Sequence, residues 1–93
     1  MYLKMYNIRY TEEAKTNIQG LDKKKKRQIK TAIERIAENP EIGKRLSHEL
    51  KGLLSYRSGD WRIIYRVFRD QILVIILTVG HRKEIYKTIK RKI

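Results

Sequence analysis

The stretch Leu50-Lys51-Gly52-Leu53-Leu54-Ser55-Tyr56-Arg57-Ser58-Gly59-Asp60-Trp61-Arg62-Ile63-Ile64-Tyr65-Arg66-Val67 decides the fold. Aromatic and β-branched residues dominate 61–68, a composition that suits a pleated, half-buried strand. Residues 53–57 read as a shorter strand, and Ser58-Gly59 between the two is a tight-turn signal. With that dipeptide as a two-residue turn, Arg57 opposes Asp60, Tyr56 opposes Trp61 and Ser55 opposes Arg62. Side chains alternate with period two, so Arg62, Ile64, Arg66 and Phe68 share one face and Trp61, Ile63, Tyr65 and Val67 the other. The second set is the more apolar and is expected to pack on helices, which sends Arg62 to the opposite, open face.

Outward from this hairpin the chain alternates between strand and helix periods. Arg69-Asp70-Gln71 turns it into residues 72–79, apolar on both faces as a covered central strand requires, and Gly80 ends that strand. Residues 83–91 form an amphipathic helix with Ile85 and Ile89 on one face. Upstream, residues 41–51 hold no sustained period and read as a loop. Before them, Ile29, Ala32, Ile33, Ile36 and Ala37 make the apolar stripe of a helix that Asp22 can cap and Asn39-Pro40 stops. Ala14, Ile18 and Leu21 mark an earlier helix, with Thr11 as its hydroxyl cap, Glu12 and Glu13 in its first turn and an end near Gly20. Tyr6, Ile8 and Tyr10 alternate with polar residues as a short first strand. The expected fold is α+β, a single domain spanning 1–93 in the order β-α-α-β-β-β-α. An N-terminal helical hairpin covers one face of a small, mainly antiparallel, twisted sheet, and a short C-terminal helix follows. Ile29, Ile33, Ile36, Ile63, Tyr65 and Leu77 are the expected core.

Charge gives the first functional clue. The 93 residues carry 23 Lys plus Arg against 10 Asp plus Glu, a net +13, far beyond what solubility requires and suited to a polyanionic partner. Residues 80–93 hold six positive charges and one negative, so the C-terminal end is the more one-sided. The run Lys23 to Arg27 points almost all around its helix, making either a general field for a polyanion or a solvated face. Without cysteine, disulfides and thiolate metal sites are excluded. No stretch resembles a signal peptide, and the longest apolar run falls far short of the ~20 residues that span a bilayer, so a cytoplasmic protein with no membrane partner is expected.

The central stretch resembles the heart of RelE/ParE-type toxins, in which a Leu-x-Gly segment leads into Tyr-Arg-x-x-x-Gly-Asp-Tyr-Arg followed by two hydrophobic residues and Tyr. Here the spacer is one residue, with Trp61 at the usual tyrosine. Val79-Gly80-His81-Arg82-Lys83-Glu84-Ile85-Tyr86 resembles the family's second block, and Tyr6 to Ala14 resembles its opening. The resemblance covers most of the chain. It implies a toxin of a type II toxin–antitoxin system, most like the RelE-type branch that cleaves messenger RNA on the ribosome, with a cognate acidic, RelB-like antitoxin as partner. The alternatives are the ParE-like branch, which inhibits DNA gyrase, or a noncatalytic nucleic-acid-binding relative.

Cleaving RNA without a metal needs a base for the 2′-hydroxyl, positive groups around the crowded phosphate and an acid for the leaving 5′-oxygen. The carboxylates show no metal-ligand spacing, and neither metal nor cofactor is expected. The resemblance assigns Arg62 to the scissile phosphate and Arg82 to its stabilisation. Because guanidinium is too weak an acid for proton donation, electrostatics is the role that chemistry supports for Arg82. His81 has the right intrinsic pKa for proton transfer, although it also suits a packing role at the strand end. Tyr86 matches the family's tyrosine, to orient substrate or to anchor the last helix. Arg57, Lys51, Arg66, Lys83 and Lys87 are candidates for binding RNA. Two lysines alternate on the strand before the turn in the best-known RNA-cleaving branch; Leu53 and Ser55 stand in those places. His48 and Glu49 are the candidate compensating base or acid.

Overall fold

The computed structural model describes residues 5–82 and 85–87. Strand β1 (Asn7–Tyr10) leads into helices α1 (Glu12–Gln19) and α2 (Lys23–Glu38). Strands β2 (Lys44–Arg45), β3 (Leu54–Ser58), β4 (Trp61–Phe68) and β5 (Leu73–His81) follow. They form one sheet in the order β1-β5-β4-β3-β2, with β1 parallel to β5 and every other pairing antiparallel. Residues 85–87 are helical; the rest of the expected last helix, including Lys83 and Ile89, lies outside the described residues.

The helix ends are specified locally. Thr11 accepts from Ala14 N at 3.1 Å and Asp22 from Lys25 N at 2.8 Å, each satisfying an amide that a helix start leaves without a partner. The α2 stripe Ile29, Ala32, Ile33, Ile36 and Ala37 is buried. It packs with Ile63, Tyr65, Val74, Ile76 and Val79 into the main core, between the hairpin and one face of the sheet.

Where β1 stops at Tyr10, α1 takes over as neighbour to β5. Thr11 N donates to Ile76 O at 3.1 Å and Thr11 Oγ1 to Leu77 O at 2.6 Å. The Asn17 amide oxygen then accepts from Val79 N at 3.0 Å and from Thr78 Oγ1 at 3.1 Å. These contacts satisfy backbone groups of an inner strand that no strand covers on that side.

Three expectations are corrected. The turn is Gly59–Asp60, not Ser58–Gly59: Ser58 pairs with Trp61, Arg57 with Arg62 and Tyr56 with Ile63. Gly59 has φ +60, the left-handed first position of a two-residue turn, where glycine is favoured. Residues 41–51 are not a plain loop. They hold two 3-10 turns, Pro40–Ile42 and His48–Leu50, and the two-residue edge strand β2. Leu77 does not join the hairpin-side core. Ile64 pairs with Thr78 but Tyr65 with Ile76, so Leu77 is the extra residue of a β-bulge. It packs on the opposite face with Leu50, Leu53, Ile64 and Ile85. The face expected to be open therefore carries a second, smaller core.

Candidate functional site

The Gly59–Asp60 turn gathers three arginines. Arg57 and Arg62 are direct cross-strand partners, and both donate to the Gly59 carbonyl, through Nε and Nη1 respectively, each at 3.3 Å. Arg62 also donates to Trp61 O at 3.2 Å, and its side chain is half-buried. Arg82 reaches the same turn from the end of β5. Its backbone N donates to Asp60 O at 2.7 Å, and its guanidinium Nε lies 3.6 Å from Asp60 Oδ1. Arg82 holds φ +33, a conformation unusual for a residue with a side chain. Like charges placed directly opposite one another destabilise a strand pair. Asp60 pairs with Arg82, while Arg57 and Arg62 have no carboxylate partner among the described residues. Among the described residues two of the three guanidiniums are thus left without a carboxylate, an arrangement suited to an anion such as phosphate.

Tyr86 approaches from the C-terminal helical turn. Its hydroxyl shares a hydrogen bond of 3.2 Å with Ser55 Oγ, and its half-buried ring packs on the Leu50–Leu53 cluster. Anchor and site candidate are thus the same residue. The lysine positions of the RNA-cleaving branch are filled in this chain by Leu53, buried in the second core, and by Ser55, buried under Tyr86. A groove of about 380 Å³ runs past Tyr86, lined by Lys44, Leu46, His48, Glu49 and Leu50. His48 and Glu49 are thereby brought beside Tyr86, with His48 at φ +56.

His81 falls elsewhere. The residue across from Arg62 is Gly80; His81 pairs with Trp61, and the two rings meet edge to face at 5.7 Å. Trp61 packs against the hairpin-side core, so His81 lies on the side of the sheet opposite to Arg62. The physical reason is alternation, which sends adjacent strand residues to opposite faces. Among the basic candidates, Arg66 is exposed on the Arg62 face near Gly52, with Lys51 exposed in the same turn. Lys87 is exposed, and Lys83 lies outside the described residues.

Two further contributors were not evident from sequence. Asp60, read there as the residue opposite Arg57 and as part of the Gly-Asp motif, orients Arg82 through both backbone and side chain. Ile85 is 2% exposed and seats the Tyr86 turn on Ile64 and over Gly80, where any Cβ would come within 2.9 Å of Ile85 Cδ1. Ile85→Ala is therefore expected to free Tyr86 from Ser55 while the hairpin core stays folded. Truncating a buried Ile costs about 2–4 kcal/mol, and here the cost is met by local opening. Faster hydrogen exchange at residues 85–87, with α2 still protected, is the result to look for. Unchanged exchange at 85–87 would mean that Ile85 is not the seat.

The chain is similar to known toxins in sequence and in fold. A family model described as the ParE toxin of type II toxin–antitoxin systems, parDE, matches residues 8–86. Toxin RelG of Mycobacterium tuberculosis (strain ATCC 25618 / H37Rv) is 33% identical over 88 residues, covering 88% of this chain and 97% of that toxin. The mRNA interferase toxin RelE of Escherichia coli (strain K12) is 24% identical over 95 aligned residues, covering 95% of this chain and 97% of that one. The solved toxin–antitoxin complex RelBE2 from Mycobacterium tuberculosis matches with a TM-score of 0.80 at 29% identity, covering 87% of this chain and 95% of that one. With the Tyr56-to-Arg62 hairpin and the Gly80-His81-Arg82 strand end standing together on that sheet, the chain belongs to the RelE/ParE superfamily of type II toxin–antitoxin toxins.

Proposed function

We propose that the whole chain, residues 1–93, acts as one cytoplasmic toxin domain that cleaves messenger RNA on the ribosome without a metal and so inhibits translation. The observation that carries this reading is the cluster of Arg57, Arg62 and Arg82 around one turn. In this reading Arg62 and Arg82 hold the scissile phosphate and Tyr86 orients the nucleotide. The 2′-oxygen loses its proton and attacks the adjacent phosphorus. The bond from phosphorus to the 5′-oxygen breaks, leaving a 2′,3′-cyclic phosphate and, once the leaving oxygen is protonated, a free 5′-hydroxyl. Proton transfer is assigned to His48 or Glu49, which line the groove beside Tyr86, ahead of His81, whose ring lies with Trp61.

Relatives named as an mRNA interferase toxin and as half of a toxin–antitoxin complex support both the activity and a cognate acidic, RelB-like partner drawn to the +13 charge. Two observations favour the gyrase-poisoning branch as a second reading: the matching model is described as a ParE toxin, and Leu53 and Ser55 put no cation at the two positions where the RNA-cleaving branch has lysines.

Brief induction in a translating extract, with RNA 5′ ends mapped, separates the two. New 5′-hydroxyl ends within translated codons, absent when ribosomes are removed, are expected. Intact messages with trapped DNA breaks would replace the first reading by the second. Co-expression with the neighbouring small acidic gene product should relieve growth arrest and yield a stable complex, and failure of both would remove the antitoxin from the proposal.

A further inference from the structure

A second basic feature lies beside the arginine cluster and is absent from the roles assigned above. β2 pairs with β3 only at Leu54 and Ser55, so the outer end of β3 has no strand neighbour on that side. Between it and α2 opens a groove of about 470 Å³, within the ~300–1,000 Å³ typical of ligand clefts. Gln28, Thr31 and Arg35 of α2 form one wall, and Tyr56, Arg57 and Ser58 form the other. No carboxylate among the described residues lines it. Gln28 Nε2 donates to Ser58 Oγ at 3.3 Å across the groove, fixing the spacing of its walls. Arg35 is exposed and forms no ion pair among the described residues. Tyr56 adds an aromatic ring, half-buried at the edge of the main core.

Position gives these residues their meaning. Arg57 lines the groove and is also the direct cross-strand partner of Arg62. A polymer held at one phosphate by Arg62 must place its neighbouring nucleotide beside that residue. We infer that the α2–β3 groove is a subsite for the single-stranded RNA flanking the scissile phosphate. Arg35 grips a backbone phosphate there, Arg57 at the rim links the groove to Arg62, and Tyr56 offers an aromatic surface to an unstacked base. A cationic wall with an interleaved aromatic is how unpaired strands are held without base pairing. The inference rests on the proposed function for the identity of the scissile phosphate, but its own claim is binding.

The test uses the intact protein and a fluorescent, uncleavable 2′-O-methyl single-stranded RNA. Arg35→Ala is expected to weaken binding about 3- to 10-fold near physiological salt and to lower the salt slope by about 0.7, the value of one single-strand phosphate contact. Arg35→Lys should recover most of the loss. Lys30→Ala removes the same charge from the same helix outside the groove, since Lys30 lines the separate cleft between α1 and α2. It is expected to change affinity less than 2-fold, roughly, as a distant charge in a screened field does. Equal losses in Arg35→Ala and Lys30→Ala would reduce the groove to general electrostatics and overturn the inference. Unchanged RNA affinity in Arg35→Ala would also overturn it, as would a loss of affinity confined to an acidic protein partner. If wild-type protein cleaves no RNA while Arg35→Ala still weakens binding selectively, the proposed function fails and the subsite stands.

Discussion

Arg62→Ala and Arg82→Ala are each expected to slow single-turnover cleavage on programmed ribosomes by roughly 30- to 1,000-fold, the cost of about 2–4 kcal/mol when a group that stabilises transition-state charge is removed. Ribosome binding should fall much less, because most of the non-specific attraction comes from the remainder of the 23 lysines and arginines. Arg62→Lys should recover only part of the rate, since an ammonium cannot reproduce a guanidinium fork on phosphate. Asp60→Asn should fall between wild type and Arg82→Ala. The backbone bond from Arg82 N to Asp60 O survives that change, and only the side-chain restraint at 3.6 Å is weakened. His81→Ala should cut at close to the wild-type rate, given its place beside Trp61. Folded Arg62→Ala and Arg82→Ala proteins that both cut normally would show the site to be misassigned. A large loss in His81→Ala would return proton transfer to that ring.

The sequence revealed the arginines of this site more readily than their surroundings. Arg62 and Arg82 stand in two separate motifs, and a hairpin next to an inner strand was enough to bring them near each other. The side of the sheet that His81 occupies depends on its pairing with Trp61, which is set by the register of β5 on β4 and not by the turn. A one-residue error in the turn, Ser58–Gly59 for Gly59–Asp60, changes every partner across β3 and β4. The bond between Ser55 and Tyr86 spans 31 residues, and no local pattern encodes it. The α2–β3 groove exists because β2 is only two residues long, too short to display any period.

Fold legibility divides along the same line. The α2 stripe was legible because polar residues interrupt it at helical spacing, which leaves a single solution. β5 was legible as an inner strand but not in phase. When every residue from Ile72 to Leu77 is apolar, a bulge moves Leu77 to the other face without breaking any visible alternation. Leu77 joins the second core beneath Tyr86 through that unseen shift. Ile64, expected on an open face, is fully buried because Leu50, Leu53 and Ile85 converge on it from segments far apart in sequence.

Tyr65 carries the largest expected stability effect. Its ring is fully buried between the sheet and the hairpin, and its hydroxyl donates to Pro40 O at 2.6 Å while accepting from Gly43 N at 3.0 Å. Those bonds tie β4 to the segment that follows α2 and leads into β2. Tyr65→Ala removes ring and bonds together and is expected to cost about 3–5 kcal/mol. Small domains have only about 5–15 kcal/mol in all, so this variant should be largely unfolded on modest warming. Tyr65→Phe keeps the ring but leaves the Pro40 carbonyl and the Gly43 amide without their partner, for about 1–3 kcal/mol. The two variants separate packing from hydrogen bonding, and a pH series adds a signature that packing alone does not produce. Burial pushes the Tyr65 phenol up from 10.0 to about 12, partly offset by the bond from Gly43. The folded state thus favours the neutral phenol. Its stabilisation is complete below about pH 10, the unfolded value, and is lost as pH rises toward about 12. Burial raises Tyr10 as well, and lysines titrate in the same range, so the readout is the difference between wild type and Tyr65→Phe. Urea denaturation at pH 8 and at steps above pH 10 should show that difference shrinking with alkalinity. Equal stability of the two proteins at pH 8, with parallel pH dependence above 10, would show that the phenol does not hold the Pro40–Gly43 segment in place.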